Sequence, residues 1–270
     1  MTSQQTLPQA ELLDRLDEVL AELGRVVVAF SGGADSALLA YEANAVLGSD
    51  NAIAVTAVSA SLAPEERTDC QSLAKEWGLR HLEVETDELD DPSYLANGRD
   101  RCYHCKSSLM KALAPLAEAE TAAVVLGVNI DDLGDHRPGQ AAAASAGARF
   151  PFVEAGLTKD DVRAISRLLG LRTWDKPSAA CLASRLPYGT PVSLSVLSRV
   201  SAAESALRKL GFREIRVRHY GDLARIELGE HELERAVANR GAIVDAVHRA
   251  GYRYVTLDLE GLRSGNLNAV

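Results

Sequence analysis

Leu and Val recur at helical spacing over residues 9–23, so the chain opens on an amphipathic helix. The pattern then changes at once. RVVVAF (25–30) is a β-branched run with no polar alternation, as in a strand buried on both faces. It runs into the glycine turn SGGADS and a second helix. The alternation repeats with a strand at 52–58, a helix at 64–78 ended by Gly78, a strand at 79–85, a helix at 105–119 and a strand at 122–128. Strands alternating with helices predict βαβ units, hence an α/β fold with a doubly wound parallel sheet. Ligands of such sheets bind beyond the carboxyl ends of the strands.

Residues 129–151 mix turn formers with an Ala-rich stretch and predict a loop with a short helix; 159–170 is a clear helix. WDKPSAACLASRLPYGTPVS (174–193) has no clean period and is rich in Pro, Gly and Ser, which marks a functional loop between two domains. The rhythm beyond it differs: a helix at 195–210, strands at 213–220 and 223–228, a helix at 230–249 and a strand at 253–259. The expected organisation is therefore an ATP-handling domain at 1–173, an active-site loop at 174–193, and a smaller α+β domain at 194–270 for substrate or oligomer contacts.

Composition adds three constraints. No apolar run in the 270 residues approaches the roughly 20 that a membrane helix needs, and the N-terminus has no basic start or apolar segment of a signal peptide. The cytoplasm is the expected compartment, where four cysteines point to metal or redox chemistry before disulfides. The net charge of −9 weighs against nucleic acid as the main partner. That charge is uneven: 12 basic and 10 acidic residues follow from Ser198 onward, which leaves −11 on the first 197.

Ser31-Gly32-Gly33-Ala34-Asp35-Ser36 lies between a buried strand and a helix. Two glycines let the backbone approach phosphate oxygens, and free N–H groups at a helix start attract an anion. The hydroxyls of Ser31 and Ser36 can donate as well. Asp35 cannot serve a phosphate directly, so a Mg²⁺ or N-cap role is expected for it. Both GxxxxGK[ST] and GxGxxG are absent, which removes the ordinary P-loop and dinucleotide readings. The SGGxDS string resembles the PP-loop of the ATP-pyrophosphatase superfamily. The resemblance implies cleavage of ATP between its α and β phosphates, with AMP passed to an acceptor oxygen.

Cys102 and Cys105 form a CxxC pair at a predicted helix start, a position that suits thiolate ligands, and Cys181 lies in the 174–193 loop. Three thiolates on a [4Fe–4S] cluster would leave one iron open to carry a sulfide. Zn²⁺ is an alternative, with His104 as a fourth ligand, and spacing does not separate the two metals. A redox pair or no metal at all stays open too. Cys70, on a helix face among Leu73, Ala74 and Trp77, reads as a packed core thiol. The histidines give no catalytic pattern, since HELER at His231 lacks the second His of a zinc protease. Adenylation makes an electrophile and cysteine sulfur is a nucleophile, so loop and cysteines together suggest a thiolation system.

Four strings extend the likeness over nearly the whole chain: SGGADS, RCYHCK (101–106), GVNIDDLGDHRPG (127–139) and WDKPSAACLASRLPYG (174–189). With them the sequence resembles the LarE family of sulfur transferases, which helps build the nickel-pincer nucleotide cofactor of lactate racemase. The resemblance implies adenylation of a carboxylate of a pyridinium biscarboxylate mononucleotide, then its conversion to a thiocarboxylate. In some members the loop cysteine, here Cys181, gives up its own sulfur and becomes dehydroalanine, and those members lack the CxxC pair. Having all three cysteines, this chain resembles the cluster-bearing branch. The resemblance further implies a homo-oligomer and an outside sulfide donor.

Other candidate contacts follow. Lys176, Ser184 and Arg185 flank Cys181 and could meet the substrate or the AMP phosphate. Arg216 and Arg218 fall two apart, hence on one strand face, and could clamp the substrate phosphate. Glu204 and Glu227 are further candidates for Mg²⁺. Asp131, Asp132 and Arg137 sit in a loop after a sheet strand, in a place for ATP or its metal, and Asn129 could read the adenine or ribose. The strongest rival function is a tRNA thiolase, which would need a basic RNA surface that this acidic chain does not offer. A non-catalytic nucleotide sensor or metal carrier is the other rival, against which the intact SGGxDS speaks.

Overall fold

The computed structural model describes residues 8–133, 138–177 and 180–263. The chain divides into two compact units. The first takes its described residues from 1–59, 64–88 and 102–179, the second from 60–63, 89–101 and 180–270.

The first unit begins with α1 (Gln9–Leu23), β1 (Val26–Ala29), α2 (Ala34–Leu47), β2 (Ala52–Val58), α3 (Pro64–Glu76) and β3 (Arg80–Glu85). The short α4 (Pro92–Leu95) belongs to the second unit. Then come α5 (Arg101–Glu120), β4 (Ala123–Val125), α6 (Ile130–Leu133), α7 (Pro138–Ser145), α8 (Pro151–Ala155) and α9 (Lys159–Leu168). The four strands form one sheet in the order β3-β2-β1-β4, and every pairing is parallel. Successive residues of the central strands feed opposite layers. Val26, Val28, Ala52 and Ala54 join α1, α2, α3 and α9 in one apolar cluster, while Val27, Ile53 and Val55 join α5 in another. This two-sided burial is what the unalternating VVVA run encodes, and the doubly wound α/β expectation holds.

The second unit contains α10 (Leu194–Lys209), β5 (Ile215–Tyr220), β6 (Leu223–Leu228), α11 (Leu233–Ala238), α12 (Arg240–Arg249) and β7 (Tyr254–Leu257). Its sheet runs β5-β6-β7, antiparallel then parallel, over a core that includes Leu207, Phe212, Val217, Ile226 and Val247.

Beyond shifts of one or two residues at element ends, the sequence reading departs from the structure most clearly at four elements. The CxxC helix starts at Arg101, so both cysteines lie inside its first two turns. The strand read at 122–128 stops at Val125, because Val128 N–H turns back to the Leu126 carbonyl at 2.8 Å. The described residues of the 129–151 segment hold two short helices in place of one, α6 and α7, and α8 starts at its last residue and is ended by Gly156 in the left-handed conformation. The helix read at 230–249 is broken at Asn239, whose backbone leaves helical angles. Among the described residues no helix is long and apolar enough to cross a membrane.

Candidate active site

The PP-loop follows β1 and opens α2. Gly32 adopts φ +68°, a conformation closed to most other residues, and a Cβ there would stand 2.9 Å from the Cys70 sulfur. Cys70 is thus the floor of the loop, and burial pushes its thiol up to about 11. Ser36 Oγ donates to the Gly33 carbonyl at 3.2 Å and lies 3.1 Å from Ser31 Oγ, while Ser31 N–H donates to it at 3.2 Å. The two hydroxyls therefore lie together at the start of α2, where the first N–H groups have no helical partner, the arrangement an anion needs. The helix is capped by Gly33 without a side chain, so the N-cap role weighed for Asp35 falls to Gly33.

Asp35 is held from two sides. Asn129 Nδ2 donates to it at 3.1 Å, and the Lys159 ammonium forms an ion pair with it. Asn129 is itself buried, with its backbone N–H on Asp132 Oδ2 and its side-chain oxygen accepting from Asp132 N–H. Asp131 accepts from Lys159 N–H at 2.7 Å. Gly127 closes the assembly: a Cβ on it would fall 2.9 Å from the Asp35 carbonyl carbon and 3.0 Å from Ser36 N, so the end of β4 rests directly on the loop backbone. Arg137 lies outside the described residues.

Lys176 reaches the same loop. Its Nζ donates to the Gly32 carbonyl at 3.1 Å and pairs with Glu66 at 2.8 Å and Asp69 at 2.6 Å. Burial alone would lower its pKa, but the bonds to Asp69 and Glu66 outweigh that and hold it above the ordinary lysine value. Arg172 braces Asp69 at 2.8 Å and Glu76 at 3.0 Å. The segment around Lys176 is thereby pinned to the phosphate loop.

Of the cysteines, Cys102 is exposed and Cys105 half-buried, three residues apart and so on one side of α5. A Cβ on Gly139 of α7 would come within 2.8 Å of the Cys102 carbonyl and 2.9 Å of Lys106 Cγ, so only glycine lets α7 pack on this turn. Burial pushes the Lys106 ammonium down in pKa, and Cys105 and Cys102 pull it the other way.

Cys181, in the second unit, is exposed and caps the 3₁₀ turn Leu182–Arg185. None of the four cysteines is in a disulfide. Among the described residues no group of three or more His, Cys, Asp or Glu is gathered as a metal site.

A dense ionic core supports the Cys181 turn from below. Arg185 donates to Glu204 at 2.8 and 3.2 Å, to the Cys181 carbonyl at 3.1 Å, to Ser184 Oγ at 3.1 Å and to the Ala180 carbonyl. Arg218 donates to Glu227 at 3.0 Å and to the Ser184 carbonyl at 2.8 Å. Glu204 also accepts from Val217 N–H and Arg208, and Glu227 from Arg225. Both glutamates are completely buried and both are engaged by guanidinium groups. Arg216 lies on the same strand face as Arg218, opposite Glu227 in the register. Burial, then repulsion from Arg185 and Arg218, lowers its pKa, so the cluster carries a cation that an incoming anion would stabilise.

A glycine turn with paired serine hydroxyls, set between the first strand and first crossover helix of a parallel sheet, defines a PP-loop nucleotide-using enzyme. The NAD synthase family model matches residues 10–100, the stretch that holds this loop. The chain is 41% identical over 250 residues to the pyridinium-3,5-bisthiocarboxylic acid mononucleotide synthase of Lactiplantibacillus plantarum, covering 92% of this chain and 91% of that one. It is 48% identical over 261 residues to an uncharacterized protein of Synechocystis, covering 96% and 97%. The chain belongs to the LarE family, the family of that mononucleotide synthase, and is an ATP-dependent sulfurtransferase.

Two residues of this site escaped the sequence reading. Lys159 stands 124 positions from Asp35, and nothing local to KDDVRAI distinguishes an active-site lysine from a solvated helix start. Gly127 sat inside a predicted strand. A glycine interrupting an apolar run, and its place at the head of GVNIDDLGDHRPG, were the signals available.

Proposed function

We propose that this enzyme adenylates a carboxylate of pyridinium-3,5-biscarboxylic acid mononucleotide and converts it to a thiocarboxylate, with sulfur delivered through Cys102, Cys105 and Cys181. The hydroxyl-lined turn at the start of α2, in a chain so similar to the mononucleotide synthase, is the observation that supports it most.

In the first step the substrate carboxylate attacks the α phosphorus of ATP, the bond to the β-phosphate oxygen breaks, and pyrophosphate leaves. Ser31, Ser36, Gly32, Gly33 and the N-terminus of α2 bind that leaving group. Mg²⁺ fits beside Asp35, whose carboxylate already has a cation as partner. With Mg²⁺ bound, Asp35 would be the residue to hold it, and the Lys159 ammonium beside that carboxylate would add positive charge for the pyrophosphate. Catalysis here is positioning plus charge stabilisation. Arg216 and Arg218 hold the substrate phosphate, with Glu204 and Glu227 fixing the guanidinium planes.

In the second step a sulfur nucleophile attacks the acyl adenylate carbonyl, the carbon–oxygen bond to AMP breaks, and AMP departs with that electron pair. Cys102, Cys105 and Cys181 fit an iron–sulfur cluster by donor type and accessibility; buried Cys70, with its raised pKa, does not. Such a cluster, when bound, supplies an iron without a cysteine ligand on which sulfide can ride. Turnover then consumes sulfide from an outside donor and leaves the protein unchanged. We place the reaction in the cytoplasm, on a homo-oligomer.

Anaerobic purification with iron and acid-labile sulfide analysis tests the carrier. Four irons lost in each of Cys102→Ala, Cys105→Ala and Cys181→Ala support it. An iron-free protein after reconstitution rules the cluster out, and loss of H₂S from Cys181 after turnover would identify a sacrificial donor instead.

A further inference from the structure

Arg101 is the residue before Cys102, yet its side chain serves the Cys181 turn. It is 6% exposed, and its Nη1 donates to the Ala183 carbonyl at 2.9 Å and to Asn97 Oδ1 at 2.5 Å. Asn97 is completely buried and holds φ +54°, a conformation that costs a non-glycine residue of order 1 kcal/mol or more and persists only where its surroundings enforce it. What enforces it is visible. Asn97 Nδ2 donates to the Pro187 carbonyl at 2.8 Å and the Thr190 carbonyl at 2.9 Å, and its own carbonyl accepts from Gly189 N–H at 3.0 Å. Val192 N–H donates to Leu95 at 2.9 Å, and Leu182 N–H to Ser61 at 2.9 Å, where Ser61 Oγ meets the buried Tyr94 hydroxyl.

Segments 60–63 and 89–101, which interrupt the βαβ series of the first unit, thus form a bracket around residues 182–192. The bracket grips the backbone of that loop through charged and amide donors. A merely packed loop needs no buried arginine spent on a carbonyl two residues from its cysteine.

We propose that Arg101, oriented by Asn97, is a positioning residue that sets the Cys181 turn for sulfur delivery. It fixes the turn that bears Cys181 from within the same unit. The proposal rests on the function given above for Cys181. Its consequence is specific: without the clamp, ATP is still cleaved on the substrate carboxylate, but the acyl adenylate is lost to water before sulfur arrives.

The test is the yield of thiocarboxylate per pyrophosphate released, with full-length protein, ATP, Mg²⁺, sulfide and pyridinium-3,5-biscarboxylic acid mononucleotide. Arg101→Met is expected to lower that ratio about tenfold or more, as misplacing a reacting group does, with pyrophosphate release at saturating substrate within about twofold of the parent. Iodoacetamide alkylation of Cys181, mapped by mass spectrometry, should change in rate at an unaltered melting temperature. Arg101→Lys, which keeps the charge and a donor, should recover part of the ratio. Should Arg101→Met not fold, Asn97→Asp carries the same measurements, because it keeps the acceptor for Arg101 and loses both donors to the loop. A parental ratio and parental Cys181 reactivity in the folded variant overturn the proposal. Cys181→Ser separates the two levels: if it still delivers sulfur at the parental ratio, the role given to Cys181 fails first.

Discussion

Glu42 gives a quantitative handle on the helix that carries the phosphate loop. It lies on α2 at 4% exposure, hydrogen-bonded to Asp17 of α1, with Asp14 adding to the negative charge there. Burial first, then Asp17, raises its pKa from 4.5 to about 7. The unfolded chain ionises this group near the ordinary value while the folded protein retains the proton. Between the two values the folded state therefore binds more protons, and stability falls as pH rises. The contribution is fully present below the unfolded pKa and is lost through about pH 7. At about 1.4 kcal/mol per unit, the shift amounts to about 3 kcal/mol above that window, of which some 2–3 kcal/mol is lost between about pH 5 and 8. Glu42→Gln keeps the shape and a donor to Asp17 but cannot ionise. The variant should therefore match the parent near pH 5 and melt about 5–10 °C higher at pH 8. Scanning calorimetry of both proteins across that range is the assay. A difference that stays flat with pH, or a variant less stable than the parent at pH 8, would refute the buried protonated pair.

Lys159→Met should raise the KM for Mg–ATP and slow pyrophosphate release by about tenfold or more, with Lys159→Arg intermediate; unchanged release would remove Lys159 from the phosphate site. Arg216→Met should raise the KM for the mononucleotide while leaving kcat nearly unchanged, as loss of uniform binding does. A fall in kcat alone would argue that Arg216 serves the chemistry instead. Glu204→Gln, by contrast, leaves Arg185 and Arg208 short of a buried counter-ion, and a cost of about 3–5 kcal/mol in unfolding free energy is expected in urea melts.

The parts of the fold that were legible in sequence are those written in local periodicity. The unalternating VVVA run, the glycine turn and the crossover helices gave a parallel sheet, because a strand buried on both faces must be apolar throughout. The pairing order β3-β2-β1-β4 was not legible, since registry between strands leaves no mark along any one of them. The candidate site divides in the same way. Ser31, Gly32, Gly33 and Ser36 were readable because they fall within six consecutive positions and meet one another directly. Lys159 and Arg101 act across long sequence separations, through single side chains whose neighbours look like ordinary helix starts. Nor could the pattern IRVRHY show that Arg218 is buried on Glu227, because an alternating polar face reads equally as solvated. The raised pKa of Glu42 depends wholly on α1 packing over α2.

On the proposed route ATP activates a carboxylate which sulfur then captures. That route is tested most directly by incubating the anaerobic protein with ATP, Mg²⁺, sulfide and pyridinium-3,5-biscarboxylic acid mononucleotide, and following pyrophosphate, AMP and product mass together. One pyrophosphate and one AMP are expected for each oxygen replaced by sulfur, and no product without ATP or in the Cys181→Ser variant. Sulfur incorporation without ATP cleavage, or pyrophosphate release that needs no mononucleotide, would contradict that route.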